Sequence, residues 1–146
     1  MKKLALLILG LIIAQLSANQ IQLKTLENGM QIATKENNSN QSAAFYCFVK
    51  TGSLNEGKYL GAGISHYLEH VVSSGSTTKR SEAEYNKIGK EIGASTNAYT
   101  STKATAYHLV VNAKYAEDAL DMLSEQMQFC KFDSFEVARE KEVILK

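Results

Sequence analysis

The most informative stretch of this sequence is GISHYLEH, which occupies residues 63–70. On an α-helix, His66 and His70 are four positions apart and project from one face, so both imidazoles can bind a single metal ion. Glu69 lies beside them, where a carboxylate that is not itself a ligand can take a proton from metal-bound water. The spacing His-x-x-Glu-His therefore predicts that His66 and His70 bind Zn²⁺ and that Glu69 is catalytic.

A chance grouping of two surface histidines and a glutamate is the alternative explanation of this motif. The chain has only three histidines in 146 residues, so composition alone would produce the pattern in well under ~1% of such chains. Apolar Ile64 and Leu68 stand beside the motif, and histidines have no helix-propensity reason to gather there. The pattern therefore favours a metal site.

The segments on both sides of this stretch predict an α+β fold. Alternating apolar residues flank Asn28-Gly29, which is typical of a β-hairpin. The aromatic and β-branched run at 43–49 predicts a third strand that is covered on both faces. We predict strands at 21–26, 30–35, 43–49, 97–100 and 105–111, and helices at 61–72, 81–93, 113–130 and 134–146. The order β-β-β-α-α-β-β-α-α indicates an antiparallel or mixed sheet backed by helices.

Apolar residues at helical spacing predict the buried face of three helices. They are Tyr85, Ile88 and Ile92 in the second helix, Ala116, Ala119, Leu120, Leu123 and Met127 in the third, and Phe135, Ala138 and Val143 in the last. The spacing of Ser81 and Glu84 predicts a capping box that opens the second helix.

The start of the chain has the pattern of an export signal. Two lysines precede an apolar run at 4–13 and small residues near position 18, which predicts a signal peptide at 1–18 and a mature domain at 19–146. The run is shorter than the roughly 20 apolar residues that span a bilayer. We therefore expect an exported protein, periplasmic or extracellular, with no stable membrane span after cleavage; an uncleaved anchor is the alternative.

Charge and cysteine content exclude several other classes. The 16 basic and 15 acidic residues nearly balance, so we expect no nucleic-acid partner. Cys47 and Cys130 form no Cys-x-x-Cys motif, which excludes a thiolate zinc ribbon. An oxidising compartment would permit them to pair, but their strand-like and helix-like surroundings favour two small buried hydrophobic residues. His108 alternates with apolar neighbours and is interpreted as a structural histidine rather than a ligand.

Several stretches together resemble the insulinase/pitrilysin family, the relatives of mitochondrial processing peptidase. They are residues 52–56, 63–70 with Gly75, 93–100, 105–107 and 140–145, so the resemblance covers nearly the whole mature chain. It implies a zinc metallopeptidase with an insulinase-like N-terminal domain. It also implies that the backbone of Asn97 and Ala98 pairs with an extended substrate, and that Glu140 orients the metal site. A solvated surface charge is the alternative for Glu140, and is favoured for Glu142.

The resemblance also has departures that affect function. The family's third zinc ligand, a glutamate, stands seven residues beyond the position of Glu140, which is the position after Lys146. Ser73 and Ser74 replace an aromatic and a basic residue that processing peptidases carry near the cleavage point. The resemblance therefore implies an incomplete N-terminal domain that is inactive alone, and leaves its cleavage preference open.

The implied partners are a peptide or unfolded protein as substrate, and a homologous domain or subunit that closes the reaction chamber. Two other functions remain open. The chain could be a non-catalytic structural or partner subunit with the same fold, although such a subunit has no reason to keep all of His66, Glu69 and His70. It could also be a metal-binding protein without catalysis, because the third ligand is missing from residues 1–146.

Overall fold

The structure is a computed structural model that describes residues 20–146, so the predicted signal peptide at 1–18 lies outside the described residues. The strands are β1 Gln22–Thr25, β2 Gln31–Thr34, β3 Ser42–Val49, β4 Ser95–Thr100 and β5 Thr105–Asn112. The α-helices are α1 Ile64–Ser74, α2 Glu82–Glu91, α3 Ala116–Phe129 and α4 Ser134–Ile144. This order and type of elements confirm the predicted α+β fold.

The two N-terminal strands form an antiparallel hairpin within a unit of their own that ends at Asn40. The turn lies at the predicted Asn-Gly pair. Gly29 adopts φ 83°, a left-handed conformation that costs glycine little, and its N–H donates to the carbonyl of Leu26. The side chain of Asn28 accepts the N–H of Met30, which closes the turn.

The second unit, residues 41–146, contains an antiparallel sheet in the order β3-β5-β4. The prediction that β3 is covered on both faces is wrong. Phe45 and Cys47 pack against the core, but the side chains of Tyr46 and Phe48 on the opposite face are 52% and 59% exposed. The helices of this unit cover one face of the strand, and alternation leaves its other face exposed.

The core of the second unit lies between this sheet and the helices. One cluster joins Leu109 and Val111 of β5 to Tyr85 of α2 and to Ala119 and Met122 of α3. The hydroxyl of Tyr85 donates to the carbonyl of Met122 at 3.0 Å, which satisfies a polar group inside the cluster.

A second cluster lies beneath α1 and consists of Val72, Tyr107 and Leu123. Cys47 and Cys130 both pack against it as free, half-buried thiols. Burial raises the pKa of each thiol, which lowers its reactivity. They are therefore less buried than the sequence predicted, although they pack as small hydrophobic residues.

Two predicted helix faces need correction. On α3, Leu120 is exposed, while Met122 is fully buried although the sequence pattern did not select it. On α4, Phe135, Ala138 and Val143 are all exposed, and Phe135 is 75% exposed. The reason is that α4 contacts the rest of the unit through polar groups, such as the carboxylates of Glu136 and Glu140. Its apolar residues therefore do not mark the face that packs against the unit.

Candidate metal centre

The start of α1 is held by a carboxylate from the preceding loop. Gly63, at the N-cap, adopts φ 74° and has no side chain to accept a helix N–H. Glu56 takes this role, because its Oε1 accepts the N–H of Ser65 at 2.8 Å. The hydrogen bond from Ser65 holds the pKa of Glu56 below its usual value, and weaker bonds from Gly63 and Gly61 add to the effect. The positive φ angles of Gly61 and Gly63 explain why α1 begins later than predicted.

His66, Glu69 and His70 lie together on α1. Their ligand atoms are all within 4.8 Å of one another, and the two imidazole rings meet edge to face with centroids 4.8 Å apart. The side chain of His66 is 54% exposed and that of His70 is 29% exposed, whereas Glu69 is 8% exposed. Two reachable imidazoles therefore stand beside one buried carboxylate, as the motif predicted.

The buried carboxylate of Glu69 is held from the sheet. Thr100, the last residue of β4, donates its hydroxyl hydrogen to Glu69 Oε2 at 3.2 Å. The same oxygen lies 3.8 Å from Nε2 of His66. The sequence prediction did not include Thr100, and no local pattern could have found it, because Thr100 and Glu69 are 31 positions apart.

The second histidine is held from α4. Nδ1 of His70 lies 3.3 Å from Oε2 of Glu140, which is 7% exposed. Glu140 is therefore buried beside His70 and does not lie at the solvated surface. Nearby, the hydroxyl of Tyr67 donates to the carbonyl of Val137 at 2.5 Å, which ties α1 to α4 a turn away from His70. Glu142 is exposed, as expected of a surface charge.

The cluster opens into a cleft of about 470 Å³. Its lining residues are His66, Glu69, His70 and Ser73 on one side and Thr96, Asn97, Ala98, Tyr99 and Thr100 on the other. The second group belongs to β4, an edge strand of its sheet in the described part of the chain. Asn97 and Ala98 therefore lie across the cleft from the predicted metal ligands. The side chain of Asn97 accepts the N–H of Ala98 at 2.9 Å.

The donor set fits zinc. Imidazole nitrogen is a preferred zinc ligand, and ligating histidines usually donate their other ring N–H to a carboxylate. Oε2 of Glu140 lies 3.3 Å from Nδ1 of His70, so in the Nδ1–H tautomer Nε2 would be free to bind the ion. His108 is not part of the cluster and instead stacks on Tyr46 with ring centroids 4.7 Å apart, in agreement with a structural interpretation.

The His-x-x-Glu-His motif on a helix is the signature of one class of zinc metallopeptidases. The family model described as Insulinase (Peptidase family M16) matches residues 31–146, and the chain belongs to this family. Its metal is zinc, which the cluster on α1 fits.

Relatives in sequence and in structure agree with this assignment. The chain is 34% identical over 131 residues to a probable mitochondrial-processing peptidase subunit beta of Arabidopsis thaliana, covering 90% of the chain and 24% of that protein. It is 36% identical over 120 residues to an uncharacterized zinc protease of Bacillus subtilis, covering 82% of the chain and 29% of that protein. The crystal structure of a protease from Helicobacter pylori superimposes with a TM-score of 0.77 at 28% identity, covering 87% of the chain and 30% of that structure.

The chain thus spans between about a quarter and a third of the length of these relatives. Among residues 20–146, no helix is both long enough and apolar enough to cross a membrane.

Proposed function

We propose that this chain is the zinc-binding N-terminal module of a metalloendopeptidase that hydrolyses peptides. The observation that carries the proposal is the composition of one cleft. Two imidazoles and the buried carboxylate of Glu69 form one side, and an edge strand containing Asn97 and Ala98 forms the other. A peptide bond held at this strand would lie beside both the metal ligands and a proton acceptor.

The substrate would bind as an added strand. An edge strand offers unpaired backbone groups to an extended peptide, and this mode of recognition tolerates many side chains. The N–H of Ala98 is one such group, although the side chain of Asn97 now accepts it. Asn97 would release this N–H when a peptide carbonyl takes its place. An unstructured peptide or unfolded protein segment is therefore the proposed substrate.

The catalytic roles follow from the geometry of α1. When bound, zinc supplies the positive charge that acidifies a water molecule. Glu69 would take the proton from that water, and the hydrogen bond from Thr100 to Oε2 would hold its carboxylate beside the metal ligands. Burial and the bond from Thr100 keep this carboxylate in one orientation, which general base catalysis requires.

We further propose that residues 1–146 alone hydrolyse peptides poorly. Catalytic zinc sites ordinarily use three protein ligands, and the cluster in the described residues offers two histidines besides the proposed base. The insulinase resemblance implies a glutamate at the position after Lys146. A homologous domain or subunit would supply the other wall of the chamber.

Export to the periplasm or the extracellular space is part of the proposal and is supported by the pattern of residues 1–18 alone. A non-catalytic subunit is the second candidate function. Its support is a 30% identity over 130 residues to cytochrome b-c1 complex subunit 1 of Caenorhabditis elegans. Retention of Glu69 in the cleft favours the peptidase, because a subunit without catalysis needs no proton acceptor there.

The test compares three proteins: the chain 1–146, the chain with one glutamate added after Lys146, and the chain with one glutamine added there. Zinc affinity is measured by competition with a chelating dye. We expect the added glutamate to tighten zinc binding at least about tenfold and the added glutamine to leave it unchanged. His66→Ala should abolish tight binding in all three, and equal affinity of His66→Ala and the parent would refute the zinc site.

Hydrolysis of an unstructured fluorogenic peptide is then measured for the chain 1–146 and for a version extended through the next glutamate and the following domains. Glu69→Gln in the extended version is the matched control. The amide keeps the shape of the carboxylate but cannot take the proton, so turnover should be lost while zinc content stays. Loss of zinc in Glu69→Gln would instead make this residue a ligand. Cleavage by 1–146 equal to that of extended versions, and sensitive to chelator, would show that Glu140 or Glu142 supplies the third ligand.

A further inference from the structure

Glu140 is held on both of its oxygens. Oε2 lies against Nδ1 of His70 at 3.3 Å, and Oε1 accepts from Nε of Arg139 at 3.0 Å. The same Oε1 is also 3.0 Å from Nη2 of Arg139. Only 7% of Glu140 is exposed. The carboxylate therefore has little freedom to rotate away from the histidine.

The contact between Arg139 and Glu140 is unusual for adjacent residues on a helix, because neighbouring side chains point in different directions. A third residue explains why the guanidinium turns toward Glu140. Nη1 of Arg139 donates to Oε2 of Glu82 at 2.8 Å, across 57 positions of sequence. The guanidinium thus donates to two carboxylates, that of Glu82 on α2 and that of Glu140 on its own helix, α4.

Glu82 is itself held in place by its position at the start of α2 and by a backbone hydrogen bond. It begins α2, where the helix dipole favours a negative side chain. Its backbone N–H donates to Oγ of Ser76 at 3.0 Å, and the N–H of Ser76 donates to Oε2 of Glu136 at 2.7 Å. The start of α2 is therefore joined to α4 by two links, one through Arg139 and one through Ser76 and Glu136.

We propose that Arg139 is a positioning residue of the metal site. Anchored on Glu82, it fixes Glu140 so that this carboxylate accepts Nδ1–H of His70 and the ring offers Nε2 to the metal. Only arginine can do this, because its planar fork contacts two carboxylates at once, whereas a lysine ammonium is a single point charge. The proposal rests on the proposed zinc site.

A purely structural role for Arg139, in which it only ties α2 to α4, makes a different prediction. In that case its loss lowers the free energy of unfolding but does not act through Glu140. The two roles are separated by a double-mutant cycle on zinc affinity, because residues that act through one another give non-additive effects.

The experiment measures zinc affinity by chelator competition for the chain 1–146, Arg139→Met, Glu140→Gln and the double variant. Loss of a residue that supports a ligating histidine commonly weakens metal binding about 10- to 100-fold. We expect a loss in this range for each single variant, and no further loss in the double variant. A loss of less than twofold in Arg139→Met, or additive losses in the cycle, would overturn the proposal.

Two more variants control for charge and stability. Lys87→Met removes a positive charge from α2 at an exposed ion pair with Glu91, 3.9 Å apart, and should leave zinc affinity unchanged. Arg139→Lys keeps the charge at the site, so it should recover part of the unfolding free energy but none of the zinc affinity. Full recovery of zinc affinity in Arg139→Lys would show that charge alone is sufficient.

A second measurement does not need the metal. The ¹⁵N chemical shifts of the His70 ring in the metal-free chain report which nitrogen carries the proton. We expect the Nδ1–H tautomer in the parent and a mixture in Arg139→Met. The same tautomer in both proteins would refute the positioning role, whether or not zinc binds. A parent chain that has the Nδ1–H tautomer but does not bind zinc would instead count against the proposed function.

Discussion

Gly52 is the residue whose substitution should most directly disturb the support of the metal helix. It lies where the chain leaving β3 passes the turn between β4 and β5. A Cβ on Gly52 would meet the carbonyl oxygen of Ser101 at 2.2 Å and the backbone nitrogens of Lys103 and Ala104 at 2.8 Å. Its φ of −151° is open to any residue, so the obstacle in Gly52→Ala is space rather than backbone strain.

The cost of Gly52→Ala can be worked out from the contacts that must break. The turn can move away only by losing two hydrogen bonds, from the N–H of Ser53 to Ser101 at 3.1 Å and from the N–H of Leu54 to Thr102 at 2.9 Å. At about 1 kcal/mol net for each bond, the free energy of unfolding should fall by about 2 kcal/mol. Zinc affinity should fall as well, because the same loop carries Glu56 to the start of α1.

The assay is urea unfolding of the chain, with Gly89→Ala as a matched control. A Cβ on Gly89 would contact Cε of Met122 at an ordinary 3.6 Å. Gly89 lies within α2, where alanine is favoured over glycine by about 1 kcal/mol, so this control should stabilise the chain. Equal unfolding free energies for Gly52→Ala and the parent would refute the argument from space.

Three further predictions concern the residues around the site. Thr100→Val keeps the shape but removes the donor to Glu69. In a version extended through the next glutamate and the following domains, it should lower peptide turnover about tenfold and leave zinc affinity unchanged. Unchanged turnover would exclude Thr100 from positioning the base. Tyr67→Phe should lower the free energy of unfolding in urea by about 1–2 kcal/mol, because the hydrogen bond to the carbonyl of Val137 is lost. The control is Tyr59→Phe at an exposed position, which should leave the free energy of unfolding unchanged. Glu56 has a lowered pKa, so its contribution to stability is present above its unfolded pKa of about 4.3 and is lost as the pH falls through the lower folded pKa. Glu56→Gln should therefore lower the melting temperature more at pH 7 than at pH 3. An equal effect at both values would contradict the charged interaction.

Features set by neighbouring residues could be predicted from the sequence. The turn at Asn28-Gly29 and the capping box between Ser81 and Glu84 involve contacts over three positions or fewer, and both are present as predicted. The grouping of His66, Glu69 and His70 is of the same kind, because helix geometry alone brings them together. Local rules were sufficient wherever the partner was within one helical turn.

Features that depend on what packs against an element could not be predicted in this way. The run at 43–49 has residues suited to a doubly covered strand, yet Tyr46 and Phe48 stand exposed because the helices cover one face. The apolar residues of α4 predicted its buried face wrongly for the same reason. Thr100 contacts Glu69 across 31 positions and Arg139 contacts Glu82 across 57 positions, and such contacts leave no periodic signal in a single sequence.

The two histidines of the site are supported unequally, and this has a consequence for metal binding. His70 is held by Glu140, whereas His66 is 54% exposed and lies beside the His70 ring and 3.8 Å from Glu69. The support of His70 comes from α4, which contacts α1 through the polar groups of Val137 and Glu140 and contacts Ser76, just after α1, through Glu136. Phe135 of α4 stays exposed. Apolar burial therefore contributes little to the docking of α4, since the hydrophobic effect scales with the apolar area removed from water. An ion that binds only when His70 is correctly oriented stabilises the docked position of α4 by mass action. Zinc binding and the docking of α4 would consequently be coupled.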